Sequence, residues 1–282
     1  MSSILTNNSA MVALQTLKTI NNDLSKTQDM ISTGKAIGSA KDNAAVWSIA
    51  TKMSSDANMF NTISDELGVG KATVDVALAG IDQLTGTLDE IEALAVSGKS
   101  EGADFTKINE QIEALKEKMD SVVTNSQFNG INLLNDTVDG TSASLNIASS
   151  VVRATPGGDS TVDTIEVSAT NLSGAGVNNV TFTPLDGTST TADTVIGEIQ
   201  AMRTAVLTAG ADLGAKSAQI GDQMKFVSAM GDALKAGISV MTDANMEEAS
   251  AKLQALQVQQ QLATQSLSIA NQAPQNILSL FR

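Results

Sequence analysis

The chain has no cysteine, no histidine and no tyrosine, and one tryptophan, Trp47. Without cysteine no disulfide, thiolate or Cys-ligated metal can form. Without histidine the commonest general base and metal ligand is missing, and a zincin motif is impossible. With one tryptophan and no tyrosine, aromatic stacking sites are nearly excluded. Cations are scarce too: 17 Lys and Arg stand against 31 Asp and Glu. Nucleic acid requires clustered Lys and Arg to neutralise phosphates, and anionic membrane surfaces attract the same residues. Neither nucleic acid nor membrane is an expected partner. No run reaches the ~18–20 apolar residues of a membrane span. Residues 1–17 hold no basic region and no apolar run, so a Sec-type leader is not expected there. These absences argue against an enzyme, and no cofactor or metal is expected.

What the chain does have is heptads. Near the N-terminus Ala10, Leu14, Leu17, Asn21, Leu24, Gln28 and Ile31 step by four and three. Near the C-terminus Met246, Ala249, Leu253, Leu256, Gln260, Ala263, Leu267 and Ala270 do the same. Such alternation marks a coiled-coil seam. Between Ser250 and Phe281 the only charged side chain is Lys252. An amphipathic helix in water normally carries a charged outer face; here that face is Gln, Ser, Thr, Asn and Ala. It is expected to be covered by other copies of the same chain. Leu14, Leu17, Leu24, Ile31, Leu253, Leu256 and Leu267 are the expected self-assembly residues.

Three further seams lie inside these ends. Phe60, Ile63, Leu67, Gly70, Val74, Ala77, Ile81, Leu84, Leu88, Ile91 and Ala95 keep the step unbroken, a rod of roughly 54 Å at ~1.5 Å per residue. Gly98 and Gly102 end it, and Asp104 is the expected cap of the next helix. There Phe105, Ile108, Ile112, Leu115, Met119 and Val122 line up. Ile220, Met224, Val227, Gly231, Leu234, Ile238 and Met241 form the third seam, after a looser amphipathic stretch from Val195 to Leu213. Asp243 is the expected cap of the last helix. Trp47 reads as a core anchor at a helix start. Rod core is assigned to it and to Ile63, Leu67, Leu84, Leu88, Ile112, Leu115, Val227 and Leu234. Residues 137–194 are rich in Ser, Thr, Gly, Asn and Asp. There Ser142–Ile147, Thr164–Val167 and Asn179–Thr183 are strand candidates; Asp139-Gly140 and Asp186-Gly187 are turn signals, and Pro156-Gly157-Gly158 breaks any element between the first two.

The expected fold is mainly α: a long antiparallel helical bundle or coiled-coil rod built from both chain ends, with a small β- or loop-rich insert. Three parts are expected: 1–40 with 246–282 as a terminal coiled coil, 41–134 with 195–245 as a helical rod, and 135–194 as the insert. Little in it suggests a chemical site. Gly98-Lys99-Ser100 lacks the earlier glycine and the strand of a P-loop and reads as a helix end. Lys41-Asp42 and Asp89-Glu90 read as solvated or ion-paired helix faces. Asn7, Asn135, Asn171 and Asn179 each begin a sequon, a pattern frequent by chance in such a composition.

Ser32-Thr33-Gly34-Lys35-Ala36-Ile37-Gly38-Ser39-Ala40-Lys41-Asp42-Asn43-Ala44-Ala45 resembles the N-terminal signature of bacterial flagellins. Gln127-Phe128-Asn129-Gly130-Ile131-Asn132-Leu133-Leu134 is similar to the flagellin segment after the second long helix. Gln265 to Arg282 resembles the flagellin C-terminus. The likeness covers roughly 1–134 and 195–282; the short insert, Trp47 and the Leu-Phe-Arg ending look most like alphaproteobacterial flagellins.

That resemblance implies a filament subunit for swimming, secreted and assembled outside the cell. It implies unfolded export through the flagellar type III apparatus with an uncleaved N-terminal signal. The implied partners are other copies of the chain, hook–filament junction proteins, the filament cap and an export chaperone on the C-terminal region. It also places the segment read by the animal innate flagellin receptor at residues 88–97, with Leu88, Glu90 and Leu94 facing it. Recognised flagellins carry a basic residue where Glu90 stands, so receptor activation is expected to be weak. Both ends are expected to be disordered in the monomer and to fold on assembly. A hook–filament junction protein, a secreted coiled-coil binding module and, least, an insert-borne enzyme are the alternatives.

Overall fold

The computed structural model describes residues 7–100, 102–153, 160–173, 182–186 and 188–280. The described residues form helices α1 (Asn8–Thr33), α2 (Ala44–Ser97), α3 (Phe105–Asn125), α4 (Ser189–Thr242) and α5 (Met246–Leu280). Between α3 and α4 lie strands β1 (Gln127–Phe128), β2 (Ile131–Asn132), β3 (Ser144–Arg153) and β4 (Ser160–Ser168). The chain is thus mainly α with a small antiparallel insert. It divides into two compact units, one of residues 1–56 with 233–282, the other of 57–232.

Within the 57–232 unit, the long α2 seam is the core. All eleven positions from Phe60 to Ala95 are buried, with Leu67, Val74, Leu88, Ile91 and Ala95 at 0% exposure. α4 runs antiparallel to α2: Arg203 Nη2 reaches Asp89 at 2.7 Å and also pairs with Glu92, while Lys99 pairs with Asp193. The stretch expected to be loose is a strict seam. Ala192, Val195, Ile199, Met202, Val206, Ala209, Leu213 and Ile220 are all buried. α3 begins at the expected cap, where the Asp104 carboxylate accepts from Lys107 N. It buries Ile112, Met119 and Val123.

The insert docks on these helices. Asn129 (φ 51°) and Gly130 (φ 82°) form the left-handed turn that joins β1 to β2, as Asn-Gly does in tight hairpins. Buried Asn132 then donates to Val123 O at 2.7 Å and accepts from Leu134 N at 2.8 Å. β3 and β4 pair antiparallel from Ser144↔Ser168 to Arg153↔Ser160, with an irregularity between Ala148 and Ser150. There Ser149 O accepts from Gln223 Nε2 of α4 at 2.8 Å. On α2, Gly70 leaves the space that Ile147 fills; a methyl at that position would strike the Ile147 side chain. Of the first strand candidate, residues 144–147 fall in β3, which starts two residues later and runs on to Arg153; the second lies inside the wider β4. Of the third, residues 179–181 fall outside the described residues, as does Pro156-Gly157-Gly158, and Phe182–Thr183 form no strand.

Candidate self-assembly surface

α1 and α5 pack antiparallel within the 1–56/233–282 unit. Asn7 caps α1: its Oδ1 accepts from Ala10 N at 3.1 Å, and its Nδ2 donates to Ala270 O at 2.8 Å. Near mid-helix, Gln260 Nε2 donates to Asn21 Oδ1 at 2.7 Å. At the other end Gly34 closes α1 in the left-handed region (φ 71°). There the backbones cross-link: Ala36 N and Ile37 N both donate to Thr242 O, and Ala244 N donates to Gly34 O. Lys35 and Asp243 form an antiparallel bridge. Asp243, the expected cap of α5, is not its cap. Asn245 is: its Oδ1 accepts from Glu247 N and Glu248 N. Asp243 still lies in the crossing, two residues too early.

On α5 the pairing stripe is Ala249, Leu253, Leu256, Gln260, Ala263, Leu267 and Ala270, each buried or half-buried; Met246 is 42% exposed. On α1 the shielded stripe is Ala10, Ala13, Leu17, Ile20, Leu24, Thr27 and Ile31. Four of these were expected. Leu14, Asn21 and Gln28 are instead exposed, Leu14 at 44%. The heptad can be split four–three or three–four from the same anchors, and the helix takes the split with small Ala13 and with Thr27. Thr27 is 2% exposed, and its hydroxyl is satisfied by donating to Asp23 O at 2.8 Å.

A second stripe on α5 was not read from the sequence. Ala251, Ala255, Val258, Leu262 and Ile269 are exposed, the last three at 55%, 56% and 69%. Val258 lies two residues from Leu256, about 200° around the helix, so this stripe is on the side away from α1. Met11 (57%) and Val12 (62%) on α1 are also bare. The signal in the sequence was a repeat of the same three–four step, displaced by two residues.

The remaining expected residues fall as follows. Ile63, Leu67, Leu84, Leu88, Ile112 and Val227 are buried; Leu115 and Leu234 are half-buried. Trp47 is not a core anchor: it is 39% exposed, because the inward face of that turn is Val46 and Ala50. Leu88 at 0% exposure cannot face a receptor. Glu90 is exposed and sits 3.4 Å from Lys118 Nζ; Leu94 is half-buried beside it. Asn109 was missed altogether: its amide donates to and accepts from the Leu185 backbone at 3.1 and 3.0 Å. Three carboxylates are held below their ordinary range by hydrogen bonds. They are Asp42 (the Ser39 hydroxyl and N–H), Asp139 (Ser142 and Thr141 N–H) and Asp186, lowered to about 2 by Thr188 and Thr191. Each caps a loop. Among the described residues no cluster of metal-ligating side chains occurs.

The terminal helices pair with each other and leave an uncharged outer stripe bare. Residues 4–139 match the model of the bacterial flagellin N-terminal helical region, and residues 196–281 that of the C-terminal helical region. A flagellin of Brucella melitensis is 40% identical over 287 residues, covering 100% of both chains. Flagellin FljO of Caulobacter vibrioides is 37% identical over 285 residues, covering 100% of this chain and 99% of its own. A Bacillus cereus flagellin crystal structure covers 57% of this chain and 88% of its own, with TM-score 0.47 and 16% identity. The chain belongs to the bacterial flagellin family. It is a structural subunit that polymerises into the extracellular flagellar filament, the helical propeller of swimming.

Proposed function

We propose that the α1/α5 pair forms the core of that filament, and that the bare stripe of α5 is the surface on which one copy packs against the next. The observation that carries this reading is the exposure of Val258, Leu262 and Ile269 opposite a face already paired with α1. Apolar surface gains by leaving water, and after Lys252 α5 carries no charged side chain to keep it there. Leu17, Leu24, Ile31, Leu253, Leu256 and Leu267 hold the pair together; Leu14 joins the outward set with Met11 and Val12. Residues 1–40 with 246–282 are the inner layer, 41–134 with 195–245 the rod, and 135–194 the outer part. A head-to-tail contact of this kind need not close, so it propagates as a helix.

The subunit acts mechanically and catalyses nothing; the lack of His, Cys and Tyr supports that. It leaves the cell unfolded through the type III apparatus, escorted by a chaperone on its C-terminal region. It is added beneath a cap, above the hook–filament junction proteins. With Glu90 in place of a cation and paired with Lys118, purified monomer activates the innate receptor weakly; a potent reporter-cell response refutes that part.

The test is seeded growth. Full chain and a truncation lacking 1–35 and 246–282 are mixed with short filament fragments and followed by pelleting and electron microscopy. Long tubes from the full chain alone support the reading. Growth of the truncation shows that the terminal helices are not the interface.

A further inference from the structure

The charge of the chain is divided unevenly. Residues 57–232 carry 24 Asp and Glu against 9 Lys and Arg; the 1–56/233–282 unit carries 7 against 8. Among the described residues Lys18, Lys35, Lys41, Lys52, Lys216 and Lys252 make no ion pair, and all but Lys216 belong to the terminal unit. Two of them, Lys35 and Lys41, line an open cleft of about 770 Å³ between the end of α1 and the loop that follows, with Lys26, Asp29, Asn22 and Ser39. Two carboxylates share the cleft, Asp29 and Asp42; Asp42 lies 4.0 Å from Lys26 and its Oδ2 accepts from Gly38 N and Ser39 N, so three lysines against two aspartates leave the cleft one net positive charge. This loop is the N-terminal signature of the chain, and the α1/α5 contact does not account for its lysines.

The complement lies on α3. Glu110, Glu113 and Glu117 are exposed and spaced i, i+3, i+7, so they share one face over roughly 10 Å. Among the described residues Glu110 and Glu117 have no cation partner, and Glu113 reaches Lys116 only at 3.9 Å. Copies bearing a net charge of −14 repel one another. A polymer of them gains wherever a cationic patch on one copy meets an acidic face on the next.

We propose that the loop cleft of one copy receives the acidic face of α3 from a second copy, with Lys35 and Lys41 opposite Glu110 and Glu117. This rests on the filament reading and names a contact away from the α5 stripe.

The test uses the full chain at low ionic strength, where the Debye length is about 30 Å. The soluble concentration left after assembly is read by pelleting, and helicity by circular dichroism. Wild type is compared with K35E/K41E, with E110K/E117K, with the fourfold swap, and with the neutral K35Q/K41Q. Each reversal raises the residual concentration roughly three- to tenfold, and added salt erases the difference. The swap recovers to within about twofold of wild type. The neutral variant shows a smaller rise than the reversal. If the reversals assemble like wild type, if the swap fails to recover, or if the neutral variant matches the reversal, this pairing is wrong while the filament reading stands. If wild type does not assemble at all, both fall.

Discussion

Replacing Val258, Leu262 and Ile269 together by alanine separates the two faces of α5. All three are more than half exposed in the single chain, so the folded monomer loses little; exposed substitutions usually stay within about 0.5 kcal/mol. In the polymer the same side chains lose the rest of their contact with water. Full burial of such a side chain is worth ~1.5–3 kcal/mol, and the exposed half of each therefore about 1 kcal/mol. Three such losses come to about 3 kcal/mol per added subunit, or on the order of 100-fold in the critical concentration for elongation. The assay is the soluble concentration remaining over growing seeds, with circular dichroism to show an unchanged monomer. The contrasting variant is Leu256→Ala, at 7% exposure on the paired face. It should cost the α1/α5 pair ~2–5 kcal/mol as a buried truncation and so lower helix content in the filament, where that pair is ordered, while leaving the circular dichroism of the monomer unchanged. A triple variant that keeps its helicity and elongates within about twofold of wild type would refute the outward role of this stripe.

Three other perturbations test separate parts of the molecule. Amides at Leu14 and Leu256 should exchange rapidly with deuterium in monomer and slowly in filament; strong protection in monomer would show that the ends fold before assembly. Gly68 and Gly70 sit two residues apart on α2, one in open space and one under Ile147. Gly68→Ala should raise the melting temperature, by about 1 kcal/mol of helix propensity, whereas Gly70→Ala should lower it by ~1–2 kcal/mol of net overpacking. Equal effects from the two would mean that β3 is not seated on α2. The third perturbation is acid. Asp186 titrates at about 2, below the ordinary 3.8, so its stabilising contribution is complete above roughly pH 4 and disappears as pH falls towards 2. Asp42 and Asp139 shift in the same direction. An Asp186→Asn chain should therefore show a smaller loss of melting temperature between pH 5 and pH 2 than wild type, on the acid scale set by ordinary carboxylates.

Legibility in the sequence followed the strength of local patterns. The α2 seam was readable in full because large aliphatic residues occupy nearly every third and fourth position from Phe60 to Ala95. The α1 stripe was readable only at Ala10, Leu17, Leu24 and Ile31. Between those anchors the choice of Ala13 over Leu14 is made by close packing against α5, which hydrophobicity does not encode. The α4 seam from Ala192 to Leu213 was underestimated because Ala192, Met202 and Ala209 dilute the aliphatic signal. Asp104 was identifiable as a cap, but Asp243 and Asn245 are both capping types, and only the backbone crossing at Thr242 decides between them. A place at the helix start does not tell which side of the turn faces in, and there Val46 and Ala50 are the inward residues while Trp47 is exposed. Asn109 with Leu185, and Gln223 with Ser149, join an amide side chain to a backbone 76 and 74 residues away. Nothing local to either residue announces such a bond.

The crossing at Gly34–Ile37 and Thr242–Ala244 has a further mechanical meaning. The chain leaves the α1/α5 pair twice, once through each connection, and the two exits are stitched to each other at one level by three backbone hydrogen bonds. Two independent connections would each swivel about their own single bonds. Stitched together they form one joint with a common axis, so a twist applied through α1 and α5 loads both exits at once. Thr242 is the pin of that joint: its carbonyl accepts two of the three bonds, and its buried hydroxyl is tied back to Ile238 O. Torque therefore passes through a patch of peptide groups that side-chain substitution hardly touches.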